Sequence, residues 1–171
     1  NGMALRLARR PLHGLKMLQN LPEALETPES NTAIQRMPGH QVRRLQQVAV
    51  ALFAEALHPW DVTPVQYAVL ATLEWHATIS QTTLSALIAY DRATIGGVID
   101  RLNAKGWLSR TLDPDDRRLR LLKLTPTGID VLKHLHPLVQ AVQERFLAPL
   151  AADERRRFEA LCLKLLRHHA G

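Results

Sequence analysis

The 171 residues are enough for one ordinary domain with an added dimerisation element, and 46% hydrophobic with 22% charged residues predicts a packed core rather than disorder. No apolar run nears the ~18 residues of a spanning helix, the N-terminal stretch lacks a secretory signal, and the one cysteine excludes an internal disulfide framework, so a cytoplasmic protein is expected. The formal charge is +6, and residues 90–125 hold eight Lys/Arg against five Asp, whereas residues 38–89 hold only Arg43 and Arg44 against Glu55, Asp61 and Glu74. Charge alone is met equally by a solvated face or by a polyanionic partner; the pattern inside the basic segment separates the two.

Asn1-Gly2 ahead of Met3 is expected to be a remnant of expression. Residues 3–20 read as a short basic amphipathic helix broken by Pro11 and Gly14, and residues 21–38, with Pro22, Pro28 and Pro38, as a loop or arm. Residues 1–37 are thus an N-terminal extension. From Gly39 a long helix begins, its stripe being Val42, Leu45, Val48/Ala49, Leu52/Phe53 and Ala56, and His58-Pro59 ends it. Thr63-Pro64-Val65-Gln66 opens a second helix, to about His76, with Thr63 as N-cap and Gln66 completing a capping box. A short extended piece around Ile79 leads to Ser80, the N-cap of a third helix over 81–89.

Asp91 caps a fourth helix, Arg92–Lys105, which stops at Gly106 with Trp107 placed for the hydrophobic contact of a C-terminal cap. Ile95, Val98, Ile99 and Leu102 form its buried stripe, opposite Arg92, Thr94, Gly97, Arg101 and Asn103 or Lys105. Two short helices and a tight turn, the second with a polar, small-residue outer face, make a helix-turn-helix. The period then changes to two: Trp107–Leu112 and Arg118–Leu124 alternate across Asp113-Pro114-Asp115-Asp116 as a β-hairpin. Thr125-Pro126 restarts helix to about Leu147, where Pro137 is expected to introduce a kink. A last helix over about 152–168 is expected to bury Phe158, Leu161/Cys162 and Leu165. The fold class is mainly α with a small β-hairpin wing, a winged helix-turn-helix.

The candidate DNA-binding residues follow from this layout. Gly96-Gly97 costs ~1 kcal/mol per residue against alanine inside a helix, a cost tolerated where a surface must approach closely, either a groove floor or the third helix. Thr94 donates, accepts and offers a methyl to thymine, while Arg92 and Arg101 suit phosphate or guanine. Ser80, Gln81 and Thr82, at the start of the third helix, and Ala93 complete that set. At the hairpin tip stand Arg117, Arg118 and Arg120, suited to a narrow minor groove, with Asp115 and Asp116 beside them to hold an arginine's direction.

The stretch 91–128, DRATIGGVIDRLNAKGWLSRTLDPDDRRLRLLKLTPTG, resembles the recognition helix, wing and following helix start of the MarR family of transcriptional regulators. Asp113-Pro114, Asp116, Arg118, then Leu124-Thr125-Pro126 and Gly128 match the family's wing signature in order and spacing, with Leu119 standing where the family often has a small residue. The resemblance covers roughly residues 38–168. It implies a homodimer braced by the first, fifth and sixth helices, here 39–58 and 126–169, with 61–125 as the DNA-binding lobe of a domain spanning 38–171. It also implies a repressor that binds pseudo-palindromic, double-stranded operator DNA.

Residues 38–47 with 61–73 are similar, more narrowly, to members that respond to aromatic carboxylic acids. That resemblance implies a small aromatic or heteroaromatic carboxylate effector of benzoate, hydroxycinnamate or nicotinate type, held by Arg43, with Arg44 as its one-residue rival. A guanidinium fork pairs a carboxylate with two hydrogen bonds. His40, Gln47, Tyr67, Leu70 and Trp75 are the further ligand-binding candidates. Position 49 is alanine where some relatives carry histidine, and Arg43 and Arg44 equally suit acids at a dimer interface.

Other signals point elsewhere or nowhere. Cys162 lies on the apolar stripe of the last helix, the place of a core or dimer cysteine more than of an oxidant sensor. His134/His136 and His168/His169 lack the i, i+4 spacing of a metal pair, so no metal and no cofactor is expected. No GxGxxG, Walker loop, GxSxG or HExxH motif occurs, so no enzyme is expected. The alternatives are a regulator of the same type sensing a phenolic drug, a metal or an oxidant, and a non-specific architectural DNA-binding protein.

Overall fold

The structure is a computed structural model, and it describes residues 33–113 and 120–169. The expected basic helix over 3–20, and Arg117 and Arg118 at the hairpin tip, lie outside the described residues, as does the side chain of Arg92. The chain divides into two compact units, residues 1–55 and 56–171.

The first unit holds a 3-10 turn, Ala33–Arg36, and most of helix α1, Pro38–Leu57, which runs across the division. The apolar stripe read in the sequence behaves differently at its two ends. Val42 and Leu45 stand exposed, whereas Leu52 and Phe53 are buried.

The second unit is the winged helix-turn-helix. After a 3-10 turn at His58–Trp60 come α2 (Pro64–Glu74), β1 (Ile79–Ser80), α3 (Gln81–Leu87) and α4 (Arg92–Ala104). Strands β2 (Leu108–Leu112) and β3 (Arg120–Leu124) follow, then α5 (Pro126–Leu147) and α6 (Ala152–His169). Each expected N-cap makes its bond: Thr63 Oγ1 accepts from Gln66 N (3.3 Å) while Gln66 Oε1 accepts from Thr63 N (3.0 Å). Ser80 Oγ accepts from Thr83 N (3.1 Å), Asp91 from Thr94 N (3.2 Å), and Thr125 Oγ1 from Gly128 N (3.0 Å). Such side chains satisfy amides that the first helical turn leaves without partners.

Helix ends fall slightly short of the sequence expectation. The second helix stops at Glu74 rather than His76, and the third at Leu87 rather than 89 because Ala89 turns left-handed at φ +51°. The fourth stops at Ala104, with Lys105 as C-cap and Gly106 at φ +71°. There Gly106 N donates to Asn103 O (2.9 Å) and Trp107 N to Leu102 O (3.0 Å), the paired bonds of a Schellman ending. Helix α5 continues through Pro137 to Leu147.

The sheet is antiparallel in the order β1-β3-β2. The expected hairpin pairs Leu108 with Leu124 through to Leu112 with Arg120. The extended piece at Ile79 becomes a third strand, pairing Ile79 with Leu122 and Ser80 with Leu121. Ile79 and Leu122 thereby join the core under α4, whose stripe of Ile95, Val98, Ile99 and Leu102 is no more than 2% exposed. Leu84 of α3, Val69, Leu70 and Leu73 of α2, and Leu132 and Leu135 of α5 complete that core.

Helix α6 departs from expectation: none of its residues is buried. Phe158 and Cys162 are half-buried, and Leu161, Leu163, Leu165 and Leu166 stand 49–67% exposed. The apolar periodicity is there, but among the described residues none covers it.

Candidate nucleic-acid interface and effector residues

Burial of Ile95, Val98, Ile99 and Leu102 fixes which face of α4 looks outward. Positions 93, 97 and 101 fall one turn apart, with 94 beside them, and Ala93, Thr94, Gly97 and Arg101 are all exposed. The hydroxyl of Thr94 lies 3.2 Å from both the carbonyl and the carboxylate of Asp91. Its proton is therefore committed to the cap, and the methyl is the group it offers.

Among the described residues the glycine pair has no packing reason. A Cβ on Gly96 would meet only Gln81 Nε2 at 3.8 Å, ordinary contact, and one on Gly97 only Arg101 Nη1 at 3.9 Å. Close packing of α4 on the third helix is thus ruled out as the cause of these glycines. Gln81 is half-buried beside Gly96 and Thr82 is exposed. Ser80 Oγ is engaged within its own helix start, 2.9 Å from Thr83 Oγ1.

Gly128 is the opposite case. A Cβ there would stand 1.8 Å from the Trp107 carbonyl oxygen. Thr125 N donates to that same carbonyl (3.1 Å) and Thr125 Oγ1 to Gly106 O (2.6 Å), so the start of α5 sits directly on the end of α4.

Among the described residues, Lys105 and Arg110 of this basic segment are held by acids. Lys105 Nζ reaches the Asp61 carboxylate at 2.9 Å and lies 4.7 Å above the Trp107 ring. The bond from Lys105, and then its charge, holds the Asp61 carboxyl below the usual carboxylate range. Arg110 on β2 reaches Asp100 on α4 at 2.9 Å. The sequence pattern did not single out this pair, because it joins a strand to a helix across the wing's root. Arg101, Arg120 and Lys123 are exposed.

The effector candidates fall in both units. His40, Arg43, Arg44 and Gln47 lie on α1, with Arg43 and Gln47 exposed and His40 and Arg44 half-buried. Leu70 is fully buried in the core. Trp75, the C-cap of α2, is 84% exposed. Tyr67 is half-buried, its hydroxyl 3.0 Å from His136 Nδ1, and His136 Nε2 lies 3.0 Å from Glu74 Oε2. Burial, and then the charge of Glu74, raises the Tyr67 phenol above its ordinary range. His136 and Glu74 were not among the sequence candidates; separations of 69 and 62 residues leave no local signal. His134, two positions away, instead lies with Nδ1 2.7 Å from Asp130 O and its ring against Trp60.

Among the described residues no three His, Cys, Asp or Glu side chains are grouped to hold a metal, and no described helix is long and apolar enough to cross a membrane.

Residues 62–119 match the family model described as MarR family. The multiple antibiotic resistance protein MarR of Escherichia coli is 33% identical over 129 residues, 75% of this chain and 90% of that protein. The transcriptional repressor NicR of Pseudomonas putida is 32% identical over 117 residues, 68% of this chain and 74% of NicR. Among solved structures, a mutant of E. coli MarR in complex with operator DNA superposes with a TM-score of 0.71 at 32% identity, covering 75% of this chain and 92% of that one. Bordetella bronchiseptica BpsR, whose DNA binding is regulated by 6-hydroxynicotinic acid, has a TM-score of 0.75 at 30% identity, covering 78% of this chain and 96% of BpsR. With the winged helix-turn-helix and this likeness in both sequence and structure, the chain belongs to the MarR family of DNA-binding transcriptional regulators and not to an enzyme family.

Proposed function

We propose that this regulator is a homodimeric repressor, in the cytoplasm, that binds a pseudo-palindromic operator and is released by a small aromatic or heteroaromatic carboxylate. One observation carries the DNA reading. The outer face of α4 presents Ala93, Thr94, Gly97 and Arg101, and its two glycines keep side-chain volume away although the chain has room for it. Arg92, Gly96 and the start of α3 (Ser80, Gln81, Thr82) flank that face, and Arg117, Arg118 and Arg120 belong to the wing that follows. In a dimer the two α4 helices enter successive major grooves about 34–36 Å apart, and the wings reach the flanking minor grooves. The DNA-binding lobe is residues 61–125, with 39–58 and 126–169 as dimerisation helices and 1–37 as an extension. The uncovered leucines of α6 support the dimer, since contiguous exposed apolar surface marks an interface.

The effector reading rests on Arg43, exposed on α1, and on the likeness to BpsR, whose DNA binding is regulated by a heteroaromatic carboxylic acid. Arg44, His40, Gln47, Tyr67, Leu70 and Trp75 are the further residues proposed to select the ring. The acid acts by binding two lobe arrangements with different affinity. The test is fluorescence anisotropy with labelled DNA from upstream of the protein's own gene, beside a scrambled duplex at one salt concentration, with and without a pool of aromatic acids. A preference of ~10³ or more, relieved by the pool, is expected. Equal weak binding to both duplexes would remove the specific-regulator reading. Arg43→Ala is expected to abolish release by the pool; release unchanged in that variant refutes the assignment of Arg43.

A further inference from the structure

The DNA-binding lobe is fastened to α5 at two places. The first is the start of the helix, where Thr125 Oγ1 donates to Gly106 O, Thr125 N donates to Trp107 O, and Gly128 lies against the Trp107 carbonyl. A helix held only at its end pivots there. The second fastening lies three turns further on, roughly 15 Å along the helix axis at 1.5 Å per residue. It is the chain Tyr67–His136–Glu74, with 3.0 Å at each link and the Tyr67 and His136 rings edge-on at 5.9 Å.

Its chemistry is directional. A carboxylate only accepts, so His136 Nε2 donates to Glu74, and in the neutral ring Nδ1 is left to accept the Tyr67 hydroxyl proton. Tyr67 and Glu74 are seven residues apart, two turns of α2, and so lie along one face of it. One ring from α5 therefore spans two points of α2. Helices α2 and α5 also pack against each other, but apolar contact is non-directional and tolerates sliding, whereas hydrogen bonds set both distance and angle.

We propose that His136 is a positioning residue for operator recognition: by bridging Tyr67 and Glu74 it sets the angle between the DNA-binding lobe and α5, and hence the separation of the two recognition helices in the dimer. This rests on the homodimeric reading above. Lobes free to pivot about Thr125 accept half-sites at several separations, whereas latched lobes accept one.

The test uses the full-length protein and a pool of random-sequence duplex DNA. Wild type, His136→Leu, His136→Gln and Glu74→Ala each select bound duplexes, and sequencing gives the distribution of half-site separations. Wild type is expected to recover paired half-sites at a single separation near one helical turn. His136→Leu and Glu74→Ala are expected to spread that distribution over neighbouring separations. An amide carries an acceptor and a donor with a reach close to that of the ring nitrogens, so His136→Gln is expected to restore the single separation. A residue that merely stabilised the fold would lower the melting temperature and leave the distribution unmoved. A single unchanged separation in both His136→Leu and Glu74→Ala overturns the latch while the dimer stands. Recovery of unpaired sites by wild type overturns the dimer and the latch with it. Glu74 is on the surface, so Glu74→Ala decides the matter even where His136→Leu fails to fold.

Discussion

Arg110 on β2 and Asp100 on α4 meet at 2.9 Å, with the arginine side chain 23% and the aspartate 66% exposed. This bond ties the root of the wing to α4, so that the two elements proposed to read DNA share one frame. Among the described residues the buried Arg110 Nε has no hydrogen-bond partner, which makes the bond to Asp100 matter more than a fully exposed pair.

Replacing that aspartate isolates the effect. Asp100→Ala is expected to cost about 1 kcal/mol of stability, since one partner stays in water and the other does not. Its effect on operator affinity is expected to exceed its effect on non-specific DNA. Urea denaturation and paired anisotropy titrations measure the two. A double-mutant cycle with Arg110→Met showing no coupling refutes the tie.

The glycines divide into two kinds, and substitution separates them. Gly97→Ala has room for its methyl and removes a helix-interior glycine, so stability is expected to rise by up to about 1 kcal/mol. Operator affinity is expected to fall, because the methyl now stands where the DNA approaches. Gly128→Ala meets the Trp107 carbonyl at 1.8 Å and is expected to destabilise by about 3 kcal/mol or more. Calorimetry on both, and anisotropy on the first, provide the check. A Gly97→Ala protein of full affinity overturns the groove reading of that position.

The exposed leucines of α6 predict the oligomeric state. Leu161→Glu with Leu165→Glu places two charges on adjacent turns of the stripe. Sedimentation is expected to give twice the chain mass for wild type and the chain mass for the variant. Paired half-site binding is expected to disappear with the dimer while the winged lobe keeps its circular dichroism.

Tyr67 predicts behaviour in alkali. Burial first, then the charge of Glu74, raises its phenol above the ordinary 10.0. A group whose folded pKa is raised stabilises the fold fully below its unfolded pKa and loses that contribution as pH rises through the folded one. Stability is therefore expected to decline above pH 10.0, and less steeply in Tyr67→Phe. Subtracting the phenolate absorbance titrations of the two proteins is expected to leave a component displaced upward; a difference curve centred at the ordinary value contradicts the shift.

The parts of this fold that were legible in the sequence are the local ones. Thr63, Ser80, Asp91 and Thr125 each cap the helix they precede, since a cap and its amide lie three residues apart. The α4 stripe was legible because a period of 3.6 encodes one buried face. The exposure of the α6 leucines was not: they have the periodicity of a core and none of the burial. The burial of Leu70 was not legible for a related reason: it is one turn from Tyr67, and spacing alone does not say how deep a leucine lies. The bridge at His136 and the ion pair at Asp100 join residues brought together by the fold, and neither leaves a periodic trace.

The joint at Thr125 has a consequence for wing length. Gly106 and Trp107 before the hairpin, and Thr125 and Gly128 after it, are one contact written at two places in the chain. The segment between them leaves and returns to points already clamped together. Lengthening a loop whose ends are fixed costs little, about 0.6 kcal/mol for each doubling of its length. Insertions between Asp113 and Arg120 therefore cost the fold little, and the reach proposed for the wing along a duplex is free to change without disturbing the helix it accompanies.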